Sequence, residues 1–301
     1  FAGIPDLIPQ GELRVARNLK ITASILNIRL HPHTGKDTYE NWISSIYRQK
    51  KIAQIHGDRH GMISMIDRRF QSKGLIDGII TTFVKLEDNG NWFNAEKLEK
   101  ATEAQISEIQ IPSNLYPNSA AFFFRFDTDT HRLYFQTYSR GKYFTPSSAL
   151  KFFRALAADL SITTEFNEAS ISLIQDKSSM DRLFDLDVIK KVVIKFERPN
   201  SDVFDDDFEN KIEEHLNETE SQEMEISYKA QRGKSIIRDD DMKKLLEAAQ
   251  TNGSARVTGR DERGAVTLNS QHYPKEFHDK FDPEEMTERT AFIRLIPATP
   301  P

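Results

Sequence analysis

The chain has 301 residues, no cysteine and a net charge of −5, and it is 38% hydrophobic and 29% charged. That balance is too apolar for a disordered chain and too polar for a membrane-embedded one, and the length suits about two domains. Without cysteine there are no disulfides, thiolate nucleophiles, iron–sulfur clusters or cysteine zinc sites, so any metal site has to use His, Asp or Glu. No apolar run approaches the roughly 18 residues of a membrane span, and FAGIPDLIPQ lacks the basic start and apolar stretch of a signal peptide. A soluble protein of the bacterial cytoplasm is expected. Charge is unevenly spread: residues 11–80 carry twelve Lys/Arg against six Asp/Glu, and residues 181–250 carry twelve against nineteen.

In chain order, LKITASILNIRL at 19–30 reads as a strand, with Ile21, Ala23 and Ile25 alternating with Thr22 and Ser24. HPHTGKD is a loop whose Thr34 or Asp37 caps a helix over about 38–53, setting Trp42, Ile43, Ile46 and Tyr47 at helical spacing. GMISMIDRRF from Gly61 and LIDGIITTFVKL at 75–86 form a hairpin across QSKG. Residues 88–119, with Asn-Gly and two prolines, read as a surface excursion. AAFFFRFD and HRLYFQTY form a second hairpin around Asp127–Thr130. A helix follows in TPSSALKFFRALAADL, capped by Thr145 or Ser147, with Leu150, Phe153, Leu156 and Leu160 along one side. A strand over about 166–175 and a short helix over 178–185 end the first half.

The second half alternates strand and helix: strand VIKKVVIKFE, a helix near 204–218, strand EMEISYKA, a helix near 238–250, then SARVTGR, GAVTLNS and finally TAFIRLI at 290–296 as strands. Residues 271–289 read as an irregular surface connection. The expected fold is α+β, with mainly antiparallel sheets, helices packed on one face, and two ferredoxin-like or split βαβ halves at 1–186 and 187–301.

Four of the eight histidines fall within thirty residues: His31 and His33 follow the first strand, and His56 and His60 flank Asp58 before the second. Were these segments to meet, they would offer the nitrogen and oxygen ligands that Zn, Mn or Fe accept, and a metal there would activate water. Without metal, the imidazoles would serve as general acid and base in RNA cleavage, with Arg59 or Lys36 stabilising phosphate charge. The competing reading makes HGDRH a turn shaped by Gly57 and Gly61, with Asp58 and the histidines bonding loop backbone. A divalent metal belongs only to the nuclease alternative, and no cofactor is otherwise expected.

A second group, Arg48, Lys50, Lys51, Arg59, Arg68, Arg69 and Lys73, suits phosphates, with Arg125, Arg132, Arg140 and Lys142 further on. Tyr134, Tyr138, Tyr143 and Phe144 are the rings available for unstacked bases, whereas Phe122, Phe123, Phe124 and Phe126 read as core. The runs Asp205–Asp207 and Asp239–Asp241 each open a helix, where acidic side chains complement the dipole. Phosphate-loop, dinucleotide, nucleophile-elbow and HExxH motifs are missing.

The opening strand with HPHTGKDTYENW, the HGDRHGM turn, the KFERPNSD junction and the VTGRDERGAVTLNS hairpin resemble an uncharacterised bacterial family, 4747-like among domains of unknown function, over most of the chain. The resemblance implies a bacterial cytoplasmic component encoded in variable genomic islands, some beside phage-defence genes. It carries over no catalytic residue. The expected function is a nucleic-acid-binding accessory or sensor protein of an anti-phage defence system, binding DNA or RNA and forming an oligomer. The alternatives are a metal-dependent or histidine-based nuclease or phosphodiesterase, and a non-enzymatic subunit that binds a protein partner of a defence operon.

Overall fold

The structure is a computed structural model, and it describes residues 18–31, 35–87, 90–197 and 207–297. The described residues begin with β1 (Leu19–His31), α1 (Lys36–Arg48), β2 (Ala53–His56), β3 (Arg59–Asp67) and β4 (Leu75–Val84). The excursion holds β5 (Phe93–Asn94), β6 (Glu99–Lys100) and α2 (Glu103–Ser107), and after it come β7 (Ala120–Asp127), β8 (Arg132–Ser139) and β9 (Lys142–Tyr143). Next are α3 (Pro146–Ala157), α4 (Leu160–Phe166), β10 (Glu168–Leu173) and α5 (Lys177–Leu183). The rest comprises β11 (Val188–Glu197), α6 (Asp207–Glu218), β12 (Glu223–Lys229), α7 (Asp240–Asn252), β13 (Gly253–Asp261), β14 (Gly264–Asn269), β15 (Glu276–Phe281) and α8 (Glu288–Leu295). No described helix is long and apolar enough to cross a membrane.

The fold is α+β and its sheets are antiparallel. The first sheet runs β10-β1-β8-β7-β4-β3-β2, and both expected hairpins, β3–β4 and β7–β8, lie within it. Asp127 turns the second of these by accepting the backbone N–H groups of Asp129 and Thr130, both at 3.1 Å. At its centre, β1 is buried from Ile21 to Leu30 because both of its faces are covered. Leu26, Ile28 and Leu30 pack with Trp42 of α1 and Phe152 of α3, while Ile21, Ala23 and Ile25 pack with Phe292 of α8 on the opposite face. A strand covered on both faces reads as a nearly continuous apolar run.

Several expected elements change. The first helix stops at Arg48 instead of reaching 53, since Lys50 takes a left-handed φ of 50° and Ala53–His56 pairs with β3. Its N-cap is Gly35, with Asp37 in the first turn, and Thr34 lies outside the described residues. In the next long helix Thr145 caps Ser148 as expected, but the helix ends at Ala157 and Leu160 opens α4 with 81% exposure. Residues 276–281, expected to be irregular, pair with the first half of β1, while β10 pairs with its second half. TAFIRLI is helical in α8, capped by Thr287 on the Thr290 N–H, and Phe292 docks on β1.

The second sheet runs β12-β11-β13-β14. Ile212, Leu216, Leu245 and Ala249 of α6 and α7 cover one face of it, against Val192, Ile194, Phe196, Ala255 and Val257. Ferredoxin-like or split βαβ halves are not confirmed: every pairing among the described strands is antiparallel, whereas a split βαβ unit needs parallel neighbours. The expected division at 186/187 lies between the two sheets, yet Leu183 joins the second core and β15 and α8 return to the first.

Candidate anion-binding site

β3 and β4 are joined by Arg68, Arg69 and Phe70, a single 3-10 turn at Gln71–Lys73, and Gly74 in the left-handed region at φ 71°. Asp67 nucleates this turn by accepting the backbone N–H of Arg69 at 3.1 Å, which folds the Arg69 guanidinium back onto the same carboxylate with Nη2 at 2.6 Å. Directly opposite Asp67 across the hairpin stands Asp77, and directly opposite Asp77 on β7 stands Arg125. Two carboxylates facing each other in a ladder repel, so this row needs cations.

Two guanidiniums answer it. Arg125 grips Asp77 bidentately, Nε to Oδ1 at 2.6 Å and Nη2 to Oδ2 at 2.9 Å. Arg289, from the first turns of α8, donates through Nη2 to Asp67 at 2.6 Å and to Asp77 at 3.1 Å. The hydrogen bonds from Arg69, and then from Arg289, hold the Asp67 carboxyl well below the usual carboxylate range. Its charge in turn holds both guanidiniums above their ordinary value. Asp67, Arg69 and Arg289 therefore stay charged at any physiological pH.

Beside this row is a cavity of about 490 Å³. Lys73 joins the three arginines on its wall, so four cations stand against two carboxylates, and Phe70, Leu75 and Ile293 supply the apolar surface. Phe70 is 41% exposed, with the Arg125 guanidinium carbon 5.9 Å from its ring centroid. Arginines held in a fixed fork geometry next to an open ring match an anion that carries a flat apolar part.

The structure does not bring the histidine segments together. Three strands separate β1 from β3, so the two run in the same direction; His31 ends β1 at one end of the sheet, and His56, Asp58 and His60 lie at the other. The nine residues of β3 span about 27 Å at ~3.3 Å per residue, far too long for one ion to bridge. His33 lies outside the described residues, and of Lys36 only the backbone is described. The turn reading accounts for the geometry present: Gln54 donates to the Gly57 carbonyl at 2.8 Å, and the His60 ring nitrogen lies 3.0 Å from the Asp58 carbonyl oxygen. Among the described residues no group of three or more His, Asp or Glu could hold a metal.

The expected phosphate surface divides into three. Arg69 and Lys73 line the cavity and Arg68 shares their turn; Arg59 begins β3 at the far end and bonds Thr82 at 3.0 Å; Arg48 ends α1 and Lys50 and Lys51 follow it, with Lys51 paired to Asp159 at 2.8 Å. Two of the suggested rings cannot meet a base, because Tyr134 and Phe144 are buried; Tyr143 is exposed. Of the acidic runs, Asp239 caps the Met242 N–H at 2.8 Å as expected, and Asp205 and Asp206 lie outside the described residues. Sequence reasoning missed Asp67, Asp77 and Arg289. An aspartate between Ile76 and Gly78 inside an apolar strand was the readable signal for Asp77; Arg289 had none, being placed only by the docking of α8.

The model of one protein family, described as Domain of unknown function (DUF4747), matches residues 19–297. No curated protein and no solved structure matches the chain.

Proposed function

The chain belongs to the DUF4747 family, whose description assigns no activity, and from the site we propose that it is a nucleic-acid-binding protein that takes one nucleotide unit of a single strand into the cavity beside Phe70. A phosphate meets Arg69, Lys73 and Arg289, and the base lies on the Phe70 ring. The observation that carries this reading is the half-exposed ring within 5.9 Å of a guanidinium that Asp77 already holds in place. A simple anion would need no ring, and an apolar ligand would need no arginine. A single strand fits because its bases are free to leave the stack, and a cavity of about 490 Å³ falls within the ordinary ligand range.

Binding fits the site better than catalysis does. Guanidiniums hold the Asp67 carboxyl well below the usual carboxylate range, which removes it as a general acid, both Asp77 oxygens are occupied by guanidiniums, and among the described residues no histidine lines the cavity. The resemblance to products of defence-associated islands supports an accessory or sensor role, in which recognition of nucleic acid is the useful output. Fluorescence anisotropy with labelled single-stranded DNA, single-stranded RNA and duplex tests the proposal. The expected result is salt-sensitive binding of single strands that Phe70→Ala weakens by about 1–3 kcal/mol, the usual contribution of one base–aromatic stack. No salt-sensitive binding at micromolar protein refutes it.

A further inference from the structure

The second sheet turns its other face to solvent. Residues alternating with the inward set on β11, β12, β13 and β14 are exposed or half-buried, and their register is closely specified. Lys229, Lys191, Thr258 and Thr267 stand side by side across the four strands, with Ser227, Val193, Arg256 and Asn269 in the adjoining row. Arg260, opposite Val188 and Ala265, extends the face on the other side. Four cations therefore gather at one end. The carboxylates Glu197, Glu223 and Glu225 lie at the opposite end, where Lys195 already pairs with Glu223.

Lys191 and Lys229 face each other directly. Like charges at that position, with Cβ atoms about 4.5–5.5 Å apart, destabilise an antiparallel pair. Among the described residues neither lysine, nor Arg256, nor Arg260 is in a salt bridge. An anion set between the rows relieves the repulsion. We infer that this face is a second nucleic-acid contact, gripping the sugar–phosphate backbone without reading bases. It carries no aromatic side chain, since Phe196 and Tyr228 belong to the inward set, and it is a sheet surface rather than a pocket. Its hydroxyls, Ser227, Thr258 and Thr267, are of the kind that bond phosphate oxygens. The inference extends the reading above to a separate surface; the acidic average of residues 181–250 conceals Lys191 and Lys229 and stops short of Arg256 and Arg260, which strand register sets beside them.

The test uses the full chain and two fluorescein-labelled probes, a thymidine oligonucleotide of about 30 nucleotides and a duplex of matching length, titrated across a series of KCl concentrations. Replacing Lys191, Lys229, Arg256 and Arg260 by Gln together is expected to flatten the log K against log salt slope by about 3 and to lower affinity at least tenfold at ~0.1 M salt. An Arg256→Lys/Arg260→Lys protein keeps the slope, since point charges suffice here. The quadruple variant melts at or above the wild type, because the facing lysines no longer repel. Unchanged slope and affinity in the quadruple variant, alongside lost binding in Phe70→Ala/Arg289→Ala, overturns the second contact and leaves the pocket standing. The reverse pattern supports the face and overturns the pocket. Intact oligonucleotide binding with loss of poly-glutamate binding, or of a dimer seen by sedimentation, assigns the face to another partner and overturns the inference.

Discussion

Removing the Asp77 carboxylate has the consequence most tightly set by geometry. Asp77 is 3% exposed and accepts three hydrogen bonds from two guanidiniums, at 2.6, 2.9 and 3.1 Å. Asp77→Ala strands Arg125, whose side chain is only 17% exposed, without its counter-charge. Breaking a buried pair costs about 3–5 kcal/mol, and the lower end applies because Arg289 keeps Asp67 and both arginines retain some water. Asp77→Ala/Arg125→Ala should cost less than the sum of the single variants, with a coupling of about 1.5–3 kcal/mol. Asp77→Leu/Arg125→Met should return stability to near wild type, since a well-packed apolar pair often replaces a buried ion pair without loss. That same variant should bind oligonucleotide at least tenfold more weakly. Urea denaturation followed by tryptophan fluorescence suits the measurement, because Trp42 is buried in the first core. Strict additivity in the cycle, or a cost below about 1 kcal/mol for Asp77→Ala, would refute the coupled network.

Gly78→Ala should destabilise by about 1–3 kcal/mol or more by overpacking, because an added Cβ would meet the Phe124 ring and the Met65 carbonyl; a midpoint equal to wild type contradicts the close approach. Tyr134→Phe should be neutral or stabilising by up to about 1 kcal/mol, since the buried hydroxyl bonds no group among the described residues. Burial raises the Tyr134 phenol to about 12, so the variant should lose one tyrosine ionisation at high pH from the absorbance near 295 nm. Asp159 is lowered to about 2, chiefly by Lys51 and then by Ser161. Its folded value lies below the unfolded value of about 3.9, so the pair's stabilisation is complete above roughly pH 5 and fades as pH falls toward 2. The stability gap between wild type and Lys51→Ala should therefore be flat from neutral pH to about 5 and shrink below it. A gap that widens on acidification reverses the assigned sign.

Local chemistry explains which parts of the fold were legible. The β7–β8 hairpin showed itself through two aromatic-rich arms and an Asp127 turn, and α3 through Thr145 and an apolar stripe, because those interactions join residues within a few positions. TAFIRLI, expected as a strand, is helical for the opposite reason. A short apolar run suits either period, and the cap at Thr287 together with the docking of Phe292 on β1 decided for helix. The candidate chemistry divided along the same line. His31 and the His56–His60 turn are close in sequence but lie at opposite ends of the sheet, since strand order, not spacing, sets their separation.

By itself the sequence determined the antiparallel α+β character, the exclusion of cysteine chemistry and the basic turn at Arg68–Lys73. Only the tertiary structure decided what that turn faces. The β3–β4 and β4–β7 ladders align Asp67, Asp77 and Arg125, and Arg289 joins them because β15 takes the open edge of β1 and carries α8 back across the sheet, a closure marked by the bond from Ser24 to the Lys275 carbonyl, 251 residues away. Contacts at that separation come from buried area and register summed over the whole sheet, which no local pattern encodes.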